Sequence, residues 1–216
     1  MRSYVNCWKR LKKLFTSEKR SIHNLLNWLK IEPSSEGFIY WHIVNFTPKM
    51  QKAAVVRSFV EVIKDWQMAL DMIEPKGNFL KIRATKDFDK AHIRIIFVHP
   101  YLDYEWIDCT DGKTRRFRIP QQFDGAGGVL AYVPRNTHTI FFDQAENWSD
   151  IHSHSGKGIS LKDVASHELA HVFDLGHTDE EISVRFPFYN GNDKIITDQD
   201  IVDLEVAYSD IKRRFM

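Results

Sequence analysis

At 216 residues, with 43% hydrophobic and 27% charged side chains, the chain has the make-up of one globular domain able to bury a core without disulfide staples. A formal net charge of +1 argues against a dedicated nucleic-acid binder, which would show a strongly basic domain. No run of about 18 apolar residues occurs, so no segment reads as a transmembrane helix.

In chain order, residues 1–35 read as an N-terminal extension. Trp8, Leu11, Leu14, Phe15 and then Ile22, Leu25, Leu26, Leu29 recur at helical spacing among Lys9, Arg10, Lys12, Lys13, Lys19 and Arg20, the pattern of two short basic amphipathic helices. Such helices pack on the main domain, lie on a membrane surface or act as an inhibitory pro-region. The segment has no continuous apolar stretch or small-residue cleavage site, so it does not read as a signal peptide. The turn EPSSEG (32–37) closes it, and 36–216 form the main domain.

FIYWHIVNF (38–46) reads as a strand. Thr47 as a cap with Pro48 at the first helical position opens a long helix, along which Val56, Phe59, Val60, Ile63, Trp66 and Leu70 line one side. KAHIRIIFV (90–98) alternates and then becomes continuously apolar, as a central strand does. GGVLAYVP (127–134) and HTIFFD (138–143) supply two more short strands, and a last helix is expected over 198–213. This order of elements predicts a mixed α/β domain, α+β in class. Cys7 and Cys109, the two cysteines, lack the paired spacing of a thiolate zinc site and leave either one disulfide or two free thiols.

The chemistry is concentrated in VASHELAHVFDLGHTD (164–179). On a helix, i and i+4 lie one above the other, so His167 and His171 can converge on one metal ion. Glu168 then stands beside the ion, placed to take a proton from a metal-activated water rather than to bind the metal. His177 cannot complete the set from the same helix, since six more helical residues would carry it about 9 Å along the axis. The chain must therefore turn after His171, and Asp174 occupies the turn; aspartate is one of the few non-glycine residues enriched in the left-handed region. Three imidazoles with an open fourth position suit a single catalytic Zn²⁺.

With these residues the sequence resembles the matrixins, the matrix metalloproteinase family of the metzincin zinc proteases, over roughly 36–210. FDGAGGVLAYVP, FFDQAENW, VRFPFY and TDQDIVDLEVAY resemble further matrixin segments in the family order. The resemblance implies a metzincin-like domain with a twisted, mostly parallel sheet, a long helix, an active-site helix and a C-terminal helix. It also implies a structural Ca²⁺ site with carboxylates from Asp124, Asp143 and Glu146 and backbone carbonyls from Gly125, Gly127 and Val129. Substrate would lie extended along Gly128, Val129, Leu130, Ala131 and Tyr132, with Pro187, Phe188 and Tyr189 as the outer wall of the S1′ pocket.

The family's structural zinc site does not carry over. Its ligand positions align with Phe117, Ile119, Tyr132 and Phe141, so apolar packing is expected in its place, and His138, His152 and His154 are not expected to rebuild it. Arg185 stands at the methionine of the family's methionine turn, and a pair between Arg185 and Asp174 is expected to neutralise it. The family's inhibitory cysteine motif is absent, and Cys7 does not resemble it. The resemblance implies a zinc-dependent endopeptidase acting on protein or peptide substrates, secreted by family habit although this chain shows no signal peptide. A matrixin-like peptide binder with impaired catalysis is the alternative. A metallopeptidase with Glu181 or Glu205 as third ligand is disfavoured, because His177 is better placed.

Overall fold

The computed structural model describes residues 38–73, 81–150 and 158–214. The expected basic helices of 1–35, Cys7, His152 and His154 lie outside the described residues. A five-stranded sheet runs in the order β2 (Lys81–Ala84), β1 (Phe38–Ile43), β3 (Ile93–Val98), β7 (Thr139–Asp143), β6 (Ala131–Tyr132). All pairings are parallel except that of the edge strand β6, which runs antiparallel to β7. Two pairs of shorter strands complete the β structure, the hairpin β4 (Tyr104–Asp108) with β5 (Thr114–Arg118) and the pair β8 (Trp148–Ser149) with β9 (Ile159–Ser160). Three helices are described, α1 (Lys52–Ile73), α2 (Leu161–Val172) and α3 (Asp198–Arg214).

β3 is central because both of its faces are buried, which its apolar run requires. Ile93, Ile95 and Phe97 face the larger core, shared with α1 and α2, whereas Ile96 and Val98 face a second core closed by the β4–β5 hairpin. Trp66 of α1 is fully buried, and its indole N–H donates to the backbone oxygen and hydroxyl of Ser166 at 3.2 and 3.1 Å. The long helix thereby holds α2 in place behind the sheet.

Several expectations need correction. α1 begins at Lys52 rather than beside Thr47, whose hydroxyl instead accepts from the Lys49 N–H at 3.2 Å in the preceding turn. The inward stripe of α1 runs through Val55, Phe59, Val62, Ile63, Trp66 and Leu70, and Val56 and Val60 are exposed. Those two valines stand one residue, about 100°, around the helix from the buried row. The strand expected over 127–134 shrinks to Ala131–Tyr132, since Gly127 and Gly128 take φ of 81° and 115°, which breaks extended backbone. The hairpin β4–β5 and strand β2 add to the elements expected from the sequence. Cys109 is a free, buried thiol.

Phe117, Ile119, Tyr132 and Phe141 all belong to the second apolar core, with the Tyr132 and Phe141 rings stacked at 5.5 Å between centroids. Side-chain packing thus stands where the resembled family has a metal.

Candidate metal centre and substrate cleft

α2 starts where Ser160, in extended conformation, accepts the Asp163 N–H on its side chain at 3.2 Å. It ends in a left-handed turn, with Asp174 at φ 63°. The Leu175 N–H returns to the Ala170 carbonyl and the Asp174 N–H to the His171 carbonyl, both at 3.0 Å, which is the Schellman closure with aspartate where glycine is usual. This closure turns the chain back and brings His177 to the helical histidines.

The ligand atoms of His167, His171 and His177 all lie within 4.8 Å of one another, the one such group among the described residues. His167 Nδ1 is 2.8 Å from the Val184 carbonyl, and His171 Nδ1 is 2.8 Å from the Leu175 carbonyl. A carbonyl can only accept, so both Nδ1 atoms carry the proton and both Nε2 atoms present lone pairs. These two Nε2 atoms face each other at 3.1 Å, a contact that only a shared cation or proton makes favourable. Burial, followed by the neighbouring His171, depresses the His167 pKa to about 4, and burial also lowers that of His171, so both imidazoles are neutral at pH 7, as metal ligation demands. The donor set fits Zn²⁺.

Glu168 is 4% exposed, its Oε2 has no hydrogen-bond partner, and burial pushes its carboxyl up to about 8. It lines, with the three histidines, a cleft of about 1550 Å³. Gly128, Val129, Leu130, Ala131 and Tyr132 line one side of that cleft, and Pro187, Phe188 and Tyr189 line another. Tyr189 is tied to the start of α2, its phenolic oxygen accepting the Ser160 N–H at 2.8 Å. β6 is the outermost strand of the sheet, so its free edge borders the cleft.

The acidic loop is organised but looser than the histidine triad. Asp143 and Glu146 are buried and Asp124 is exposed. The three backbone positions expected to offer carbonyls instead meet the acids through their N–H groups: that of Gly125 bonds Asp143, that of Gly127 donates to Glu146 at 2.7 Å, and that of Val129 donates to Asp124 at 3.1 Å. Burial raises the pKa values of Asp143 and Glu146, and the neighbouring carboxylates raise them further. Asp143 Oδ2 is buried without a partner. Mutually repelling carboxylates around an unsatisfied oxygen fit a hard cation such as Ca²⁺.

Arg185 does not pair with Asp174, which is exposed; its ion pairs are with two acids of α3. Its Nε donates to Asp200 Oδ1 at 2.6 Å and its Nη2 to Asp203 Oδ2 at 2.5 Å, both on α3, while Nη1 donates to the Gly176 carbonyl at 3.2 Å. Asp200 is fully buried and also receives the Ser183 hydroxyl at 2.9 Å and the Thr197 N–H at 2.8 Å. Two carboxylates therefore more than offset one guanidinium, so Arg185 brings no net positive charge to the histidine cluster. Sequence reading missed Asp200 and Asp203; the available signal was a pair of acids at i and i+3 next to the apolar Ile201 and Leu204.

A sequence-family model described as Matrixin matches residues 33–209. Human matrix metalloproteinase-27 is 30% identical over 154 residues, covering 69% of this chain and 25% of that protein. Human matrix metalloproteinase-26 is 28% identical over 153 residues, covering 69% of this chain and 48% of that protein. Matrilysin of Felis catus is 39% identical over 75 residues, covering 33% of this chain and 28% of that protein. The chain thus matches about a quarter to a half of the length of these relatives.

Proposed function

The chain belongs to the matrixins, a family of zinc metalloproteases, and from that premise we propose that it is an endopeptidase hydrolysing peptide bonds within extended protein segments. The observation that carries this reading is the neutral, inward-facing Nε2 pair of His167 and His171 with Glu168 beside it in one cleft. His167, His171 and His177 would hold one Zn²⁺. When bound, zinc supplies the positive charge that acidifies water to a pKa of about 7 and polarises the scissile carbonyl.

The remaining work falls to the chain itself. A substrate strand would add to the free edge of β6 and the preceding Gly128–Leu130 backbone, its main-chain groups bonding there so that sequence matters little at those positions. Pro187, Phe188 and Tyr189 wall off the side chain that follows the cleaved bond. Burial alone favours the protonated carboxyl of Glu168, and the charge of a cation held by the three histidines would bring it back to the carboxylate, which would then take the proton of the attacking water on its unpartnered Oε2 and return it to the leaving amine. A protein that binds peptides without cutting them was suggested by Asp174 and Arg185. With the turn at Asp174 closed and Arg185 paired to α3, we favour cleavage. Asp124, Asp143 and Glu146 would hold Ca²⁺ as a structural ion.

The test is Glu168→Ala in the full chain. Zinc content is expected to stay at the parental level while cleavage of an unfolded protein falls at least ~10²-fold, because the residue moves protons and does not ligate. Cleavage at the parental rate would remove Glu168 from the mechanism.

A further inference from the structure

His167 and His171 are each oriented by a backbone carbonyl on Nδ1, but the His177 ring has no hydrogen bond among the described residues. It is also the exposed member of the triad and comes from a turn rather than a helix. Its position must therefore be set through its backbone. The two peptide groups flanking His177 are both held by one residue: the Arg185 guanidinium donates to the Gly176 carbonyl at 3.2 Å, and the Arg185 carbonyl accepts the Thr178 N–H at 3.3 Å. Arg185 is itself fixed by Asp200 and Asp203 of α3 and by its own N–H on the Ser183 hydroxyl at 2.9 Å. The neighbouring Val184 carbonyl is the group that orients His167.

We propose that Arg185 is the positioning residue for the third ligand, clipping His177 from both sides, so that the affinity of the triad for zinc is set by the docking of α3. The proposal rests on the reading of His167, His171 and His177 as a zinc site. A planar fork is needed for this task, because one side chain must reach two carboxylates and a carbonyl in three directions, which a lysine ammonium on a flexible stem does not do with the same geometry. An uncharged methionine at this position would leave the clip to the backbone bond alone.

The experiment is zinc affinity of the full chain by chelator competition, alongside thermal melting, for the parent and for Arg185→Lys, Asp203→Asn, His177→Ala and the double variant Arg185→Lys with His177→Ala. Arg185→Lys keeps the charge over Asp200 and is expected to stay folded while zinc affinity drops ~10- to 100-fold, the range seen when groups supporting metal ligands are removed. Asp203→Asn loosens only one anchor and is expected to lower affinity less, in the same direction. Because Arg185 acts through His177, Arg185→Lys should cost nothing further once His177 is alanine. Equal zinc affinity in the parent and Arg185→Lys, or an undiminished loss in the His177→Ala background, overturns the proposal. If Arg185→Lys does not fold, unchanged affinity in folded Asp203→Asn overturns it and reduced affinity supports it. A parent that binds no zinc would instead sink the metal-site reading beneath it.

Discussion

A non-glycine residue at φ 63° carries strain that glycine would not, and Asp174 accepts it at the turn that presents His177. Asp174→Gly is therefore expected to raise unfolding free energy by up to ~1 kcal/mol, and Asp174→Val to lower it by more than that, as read from denaturant melts. Arg185→Met behaves differently, because it strands Asp200, which is 0% exposed, with only neutral donors; breaking such a pair costs on the order of 3 to 5 kcal/mol. Since the two residues do not touch, the effects of Asp174→Gly and Arg185→Met should add in the double variant to within about 0.5 kcal/mol. A large coupling in that cycle would contradict the pairing seen here. The left-handed turn was legible in the sequence because few residue types tolerate it. Arg185's partners were not, because they lie 15 and 18 positions away and are chosen by how α3 packs rather than by any spacing rule.

Helices and strands followed from periodicity where burial was one-sided or complete, as in β3 and in the start of α3. The hydrophobic face of α1 lies one residue away from the one its periodicity suggests in the first turns, since Val55 and Val56 are equally apolar and only tertiary contact decides between them. The β4–β5 hairpin carried a readable signal, an Asp111-Gly112 turn with Gly112 at φ 82° between the alternating YEWID and TRRFR segments. The loops around Gly125 and Glu146 are elements built by charge rather than by periodicity. Calcium removal should loosen 124–146, because Asp124, Asp143 and Glu146 then repel one another with Asp143 Oδ2 unsatisfied. Hydrogen exchange should rise in that segment, and both melting temperature and cleavage rate should fall, when calcium is chelated with zinc kept in place. An unchanged melting temperature would count against a calcium site. Since Gly127 to Tyr132 border the cleft, loss of order there reaches the substrate edge directly.

At the scale of the molecule, the sheet divides two cores with different tasks. The larger one, through Trp66, Phe173 and Leu169, fixes α2 with His167 and His171 from behind. The smaller one, through Phe117, Ile119, Phe123, Tyr132 and Phe141, closes the opposite face under the hairpin. In the resembled family, four of those positions are ligands of a second zinc; here their side chains bury apolar surface, at roughly 25 cal/mol per Å² removed from water, and none can ligate zinc. The chain should accordingly bind one zinc, not two. Metal analysis of protein dialysed against excess zinc is expected to give one equivalent per chain, bound much more weakly in His171→Ala, whose loss leaves two ligands. Mild chelation that strips this zinc should abolish cleavage yet leave the aromatic near-ultraviolet signal of the smaller core intact. Two equivalents per chain, or collapse of that signal with the first equivalent removed, would show that a second metal still organises the face that Tyr132 and Phe141 occupy.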